Sequence, residues 1–307
     1  MLKIKNLLSY LNRERKKNFS TGQVSRKKFN DLSQKYNILV DAIASTEKKF
    51  EKKALLTTAI PVTENFDGQE LCLFISHSVT PYIKPHVAHH VQALIKSGIH
   101  VILILNTDQP KFECQLDDWT HALAGLFIRE NIGFDFGAWS HIYSIIYKDS
   151  DPSHLYLIND SMIGPLSESM FKGMLEKIRN SSVDMLGLTA NHEPIFHLQS
   201  FFLIFSNKIL HDQRFQSFFK SLWQLPTKDM VIDFYETRTT QLIQRLGYST
   251  QALYTTGNTF TEKSDAVIHN LDALFALNFP YIKTSMANKP VGKKILDKYL
   301  PQINHIG

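Results

Sequence analysis

Between residues 71 and 188 the chain alternates short, continuous apolar runs with stretches of helical periodicity. Residues 71–76 (LCLFIS), 101–105 (VILIL), 125–129, 155–158 and 185–188 predict buried strands, and residues 85–96, 136–147 and 168–179 predict helices between them. Pro85 at the start of the first helix and Gly98 just past its end supply the expected punctuation. Strands that are apolar on both faces, alternating with amphipathic helices, belong to a mainly parallel sheet covered on both sides. Beyond Asn191 the pattern predicts a strand over 198–205 (LQSFFLIF), an aromatic-rich helix over 215–223, a helix over 231–246 closed by Gly247, a last strand over 250–254 and a helical stretch over 271–279. The predicted fold class is therefore α/β, a Rossmann-like sheet with helices on both faces.

The two ends of the chain read differently. Residues 1–57 predict two helices, about 3–17 and 24–55, with a break at Ser20-Thr21-Gly22, and residues 57–68 read as a linker carrying Pro61, Asn65, Asp67 and Gly68. The expected organisation is a helical appendage over 1–60, a nucleotide-binding α/β domain over 68–260, and a helical, basic tail over 261–307 that packs on that domain. Residues 1–55 hold 14 Lys and Arg against 5 Asp and Glu, so the basic pI near 9.0 belongs to the appendage and the body is close to neutral. A basic helical arm beside a neutral globule suits contact with an anionic lipid surface, or simple packing in solvent. Aromatic residues do not interleave with the basic ones as in RNA-binding modules, so nucleic acid is not an expected partner. No apolar run approaches the ~20 residues that span a bilayer. Cys72 and Cys114 are the two cysteines, too few for a disulfide framework, and Cys72 lies in an apolar run. The expected location is the cytoplasm, with peripheral contact at the inner face of the plasma membrane.

Candidate chemistry concentrates in two stretches, Asn131-Ile-Gly-Phe-Asp-Phe-Gly-Ala-Trp139 and Leu157-Ile-Asn-Asp-Ser-Met-Ile-Gly-Pro-Leu166. In the second, an apolar strand delivers Asn159, Asp160 and Ser161 at its end, the position where open α/β sheets build ligand sites. In the first, Gly133 and Gly137 flank Asp135 ahead of a helix, and missing β-carbons permit positive φ and close approach of a phosphate or ribose to the backbone. Ordinary turn chemistry accounts for either stretch taken alone. Their proximity in sequence points to a nucleotide-sugar site.

The segments NIGFDFGAW, LYLINDSMIGPL, DMLGLTAN, HLQSFFLIF and NFPYIK, in order from about Leu71 to Pro290, resemble the rhamnan synthesis protein F family of bacterial glycosyltransferase-like proteins. The resemblance does not reach residues 1–60. It implies a GT-A-like fold, a nucleoside-diphosphate sugar donor and a sugar acceptor. Donor contacts then fall to His77, Asn131, Gly133, Asp135, Gly137, Asn159, Asp160 and Ser161. Many GT-A enzymes hold a divalent cation on an Asp-x-Asp pair. Here Asn159-Asp160-Ser161 offers one carboxylate, leaving Asp160 as the candidate ligand for Mg²⁺ or Mn²⁺ with waters and phosphates completing the shell. His197, Gln199 and Ser200 open the aromatic strand with side chains suited to sugar hydroxyls, and Asp184 and Asn191 bracket the strand before it. An inverting transfer needs a general base, and Glu236, with Asp233 second, precedes the helix that ends in Gly247-Tyr248. Lys228 and Arg238 are the cations that could offset a diphosphate. His86 and His90, at i and i+4, have metal-compatible spacing, but without a third ligand they read as surface histidines.

The expected activity is transfer of a hexose, rhamnose among the options, from a nucleoside-diphosphate sugar to a growing, lipid-linked cell-surface polysaccharide. The alternatives are a non-catalytic sugar-binding or scaffolding subunit of a polysaccharide synthase, and a nucleotide-sugar hydrolase or phosphotransferase on the same fold.

Overall fold

The computed structural model describes residues 54–109, 112–146, 150–256 and 266–301. The two helices expected within residues 1–55 lie outside the described residues, apart from Ala54 and Leu55. Residues from Ala54 onward form one compact unit.

The centre of that unit is an eight-stranded sheet. Its strands are β1 (Leu56–Ile60), β2 (Glu70–His77), β3 (His100–Thr107), β4 (Gly125–Glu130), β5 (His154–Asn159), β7 (Met185–Gly187), β10 (Phe202–Ser206) and β11 (Thr250–Ala252), lying in the order β1-β4-β3-β2-β5-β10-β7-β11. Two-residue strands form small side ladders, β6 (Met162–Ile163) with β12 (Ile282–Lys283) and β8 (Ala190–Asn191) with β9 (His197–Leu198). Strands β2, β3, β4 and β5 are mutually parallel, and β11 is parallel to β7. The reversed strands are β1, at the edge beside β4, and β10, between β5 and β7. The carboxyl ends of β2 to β5 therefore share one edge of the sheet, and the start of β10 joins them there.

Alternate side chains of the central strands enter two layers, as the period of a strand requires. Cys72, Phe74, Val101, Leu103, Tyr156 and Ile158 pack with helix α1 (Pro85–Lys96) and with helix α3 (Glu168–Arg179). The opposite face, with Leu71, Leu73 and Ile75, is covered by helix α2 (Phe134–Ile146), whose fully buried Trp139 donates its indole N–H to the Leu73 carbonyl at 3.1 Å. An aromatic layer continues that side: Tyr143 meets Phe219 edge-on, and Phe219 stacks on Phe215, both from helix α4 (Gln213–Lys220).

Several expectations change. The 57–68 linker contains the edge strand β1, whose Thr57 and Thr58 are exposed and so carry no apolar signal. The run 198–205 is two strands, β9 and β10, separated by a turn. The helix expected over 231–246 is three pieces: Lys228–Val231, a π-helical turn over Ile232–Glu236, and helix α5 (Thr237–Arg245). The lysine-rich end contains helix α6 (Pro290–Tyr299), which places Leu296 with Ile163, Leu166, Ile282 and Met286 in a second apolar cluster. His86 and His90 are buried rather than on the surface: the His86 ring meets the Asp160 carbonyl at 3.2 Å, and His90 sits among Phe74, Phe202 and Tyr281 with the Tyr281 hydroxyl at 2.9 Å. Burial holds the His90 ring neutral, its pKa lowered to about 3.

Replacing Trp139 by Ala removes the largest fully buried side chain among the described residues and the bond to β2. The expected loss is about 3–5 kcal/mol in urea unfolding followed by tryptophan-independent circular dichroism. A loss below about 1 kcal/mol would mean that α2 does not anchor the sheet as described.

Candidate functional site

The shared edge of the sheet collects most of the polar residues named above. Strands β2 and β5 are sequence-distant neighbours: the chain leaves β2 for β3 through α1 on one face and passes from β4 to β5 through α2 on the other, so their carboxyl ends form the topological switch point where a crevice opens. Ser76, at the end of β2, donates its hydroxyl to Asp160 Oδ2 at 2.7 Å, closing the foot of that crevice. The Lys84 ammonium reaches the same oxygen at 2.7 Å. Asn159 works in two directions: its Oδ1 accepts from the Ser161 amide and hydroxyl, which turns the chain after β5, and its Nδ2 donates to Asp135 Oδ2 at 2.9 Å. The strand-end acid and the glycine-flanked acid thus meet in one place.

Glu236 completes the group. The π-helical turn that carries it lies against α2, and its Oε1 accepts the Ser200 amide at 3.1 Å. Burial and then the neighbouring Asp160 carboxylate raise the Asp135 carboxyl to about 6, with Glu236 adding to the rise while Asn159 and Lys228 oppose it. Asp160, Glu236 and Lys228 are therefore each within electrostatic reach of Asp135. Three acids facing one cleft repel, and a proton on Asp135 is the cheapest relief.

A second polar cluster continues along the ends of β2, β3 and β4. His77 Nε2 meets Asp108 Oδ2 at 2.8 Å, Asn131 Nδ2 donates to the same oxygen at 3.4 Å, and Asn106 Nδ2 donates to Asn131 Oδ1 at 3.3 Å. Beneath it lies Arg129, with no exposed surface. Its guanidinium donates to the carbonyls of Glu130 and Ile132 at 2.8 Å and to Gln224 Oε1 at 2.7 Å, and burial lowers its pKa to about 10.

Other expectations are redirected. Gly133, at φ +75°, and Gly137 do permit a close approach, but the group that approaches is Gln224, held there by Arg129. Their small size is accounted for by Gln224, which fills the space a β-carbon would need at either position. Gln199 and His197 are buried and turned inward: Gln199 Oε1 accepts the Thr189 hydroxyl at 2.6 Å, and His197 Nδ1 lies 2.8 Å from the Ile195 carbonyl. Ser200 meets the site through its backbone. Asp184 sits at the opposite edge of the sheet, where it accepts from the Ser249 amide and hydroxyl at 2.8 Å and so cannot share the cleft with Asn191. Asp233 lies three residues before Glu236 in the same π-helical turn, and its carbonyl accepts the Thr237 hydroxyl. The sequence reading missed Lys84, Asn106, Asp108, Arg129 and Gln224. Lys84 alone carried a usable signal, a cation immediately before the proline that opens α1.

The donor set at Asp160 does not fit a resident divalent cation: one of its two oxygens is already shared by an ammonium and a hydroxyl, and the ammonium's charge opposes a cation at the other. Among the described residues, no three His, Cys, Asp or Glu side chains converge to hold a metal ion.

A mainly parallel sheet with one reversed strand between β5 and β7, and an acid-lined crevice at its strand ends, defines a GT-A-like α/β domain. A family model for rhamnan synthesis protein F matches residues 101–305, and the chain belongs to that family. It is 27% identical over 170 residues to the uncharacterised protein y4gN of Sinorhizobium fredii (strain NBRC 101917 / NGR234), a match covering 53% of this chain and 43% of that relative's length. Among solved structures, it is similar to a provisionally assigned nucleotide-diphospho-sugar transferase from Desulfovibrio desulfuricans G20, at 11% identity and a TM-score of 0.34, over 77% of this chain and 98% of that one.

Two measurements test this geometry. Because the folded-state pKa of Asp135 is raised to about 6, the native state binds the extra proton between roughly pH 4 and 6, and stability must fall as pH rises through that window. Compared with Asp135→Asn, the wild-type chain should lose about 1–3 kcal/mol of relative stability from pH 4 to pH 7, discounted for partial exposure. A pH-independent difference would show that Asp135 does not face the other acids. Gly133→Ala combines a positive φ with a clash against Gln224. It should cost about 1–3 kcal/mol, of which Gln224→Ala in the same chain recovers part.

Proposed function

We propose that this protein is a glycosyltransferase that moves a hexose from a nucleoside-diphosphate sugar to a glycan acceptor. The observation that carries the reading is the convergence of Asp135, Asn159, Asp160 and Glu236 on one crevice at the carboxyl ends of parallel strands. Membership of the rhamnan synthesis protein F family supports it and suggests rhamnose as the sugar and a cell-surface polysaccharide as the product. Acceptance of a lipid-linked glycan and peripheral contact with a membrane through residues 1–55 belong to the same proposal. No helix among the described residues is long and apolar enough to cross a membrane.

The chemistry follows from the charges. The nucleotide base and ribose lie along His77, Asp108, Asn106 and Asn131, which present hydrogen-bonding groups at the strand ends. The diphosphate lies over the crevice between β2 and β5, and the sugar faces Asp135. Asp135 and Asn159 accept and donate to sugar hydroxyls. Glu236 is the general base: the Ser200 amide fixes one of its oxygens, and the carboxylate takes the proton of the acceptor hydroxyl as that oxygen attacks the anomeric carbon. The sugar–phosphate bond breaks, and the nucleoside diphosphate leaves with the bonding electron pair.

Glu236→Gln keeps the shape and the Ser200 contact but removes the base. Transfer from a nucleotide-sugar panel, followed by mass spectrometry of the glycan product, should fall by about 10²–10⁴-fold with the melting temperature nearly unchanged. Unchanged turnover would remove Glu236 from the mechanism. No product from any donor, together with intact assembly of a polysaccharide synthase complex, would favour the scaffolding alternative instead.

A further inference from the structure

Resting on that reading, the geometry points to Lys84 as the cation that binds the donor's diphosphate, so that nucleotide binding by this chain needs no divalent metal. A GT-A-like site normally offsets the diphosphate with a metal ion on strand-end carboxylates. Here the strand-end carboxylate, Asp160, is bonded to an ammonium at 2.7 Å, inside the space a metal and its first shell of ligands would require. The arrangement is built from both sides. Lys84 precedes Pro85, whose ring disfavours helical backbone at the residue before it. Lys84 is accordingly extended, at φ −56° and ψ 136°, just outside the first turn of α1. The next residue of that turn, His86, meets the Asp160 carbonyl at 3.2 Å and pins the same helix end to the same loop. On the other side Ser76, buried to 2% exposure, donates to the oxygen that Lys84 uses.

An ammonium has three donor hydrogens. Among the described residues the Lys84 side chain has one acceptor, Asp160, and about a third of its surface is exposed at the mouth of the crevice. The remaining donors are free for phosphate oxygens. Asp160 in this arrangement aims the lysine and tempers its charge when the site is empty, which is a positioning role. Lys228, whose charge also acts on Asp135, is a second cation near the site.

The test is calorimetric titration of the full chain with UDP, GDP and dTDP, once in EDTA and once in MnCl₂. The expected result is binding of at least one nucleotide with affinities that agree within about twofold between the two buffers, as a fixed ammonium dictates. Lys84→Met should weaken that binding by about tenfold or more in both buffers, and Lys84→Arg should restore most of it. Binding that tightens tenfold or more with Mn²⁺, or Lys84→Met binding as wild type, would overturn the inference and leave the transferase reading standing. The first of these outcomes needs no variant, so a folding defect in Lys84→Met cannot obscure it. No binding of any nucleotide in either buffer would overturn the nucleotide-sugar reading and this inference with it.

Discussion

Three carboxylates gathered at one edge of a sheet repel each other, and much of the surrounding architecture answers that repulsion. Asp160 is held by an ammonium and a hydroxyl, Asp135 by the Asn159 amide, and Glu236 by a backbone N–H of Ser200. Each acid has a different set of partners. Asp135, desolvated by burial and with Asp160 and Glu236 as acidic neighbours, is displaced upward. The strands supply the geometry: only because β2 and β5 are parallel and adjacent do residues 84 positions apart, Ser76 and Asp160, share a hydrogen bond.

The parts legible in the sequence were those with a strong period. Helices over 85–96 and 168–179 were expected at their observed bounds, because an apolar stripe, a leading proline or serine and a C-terminal stop signal agree there. The four central parallel strands were legible as unbroken apolar runs. The edge strand β1 was not, since an edge faces solvent on one side and its threonines resemble a loop. Helix α6 was obscured by its lysines, which occupy the exposed face while Leu296 enters the apolar cluster.

At the site, residues that act through their position in sequence were easier to find than those that act through space. Asn159, Asp160 and Asp135 announce themselves at a strand end and a helix start. Arg129 lies inside an apolar strand, and nothing local says that its guanidinium reaches Gln224, 95 residues away. The two glycines were legible as a demand for close approach, while the approaching group was not, because Gln224 sits in a loop without periodicity. The π-helical turn was equally hidden. It adds a residue to the turn before α5 and so sends Tyr235 to Trp223 while Glu236 faces Ser200.

The Arg129 contacts set the mechanical character of the glycine turn and of Gln224 beside it. A guanidinium without solvent can leave its acceptors only at the cost of stranding a charge, so Gln224 and the glycine turn it fills are locked together. Gln224 stands four residues before Lys228, and the segment between them cannot swing outward while that lock holds. A ligand arriving at this turn meets a surface whose shape is already decided. On the reading proposed above, little ordering entropy would be surrendered on binding there, and discrimination between ligands would rest on fit rather than on closure.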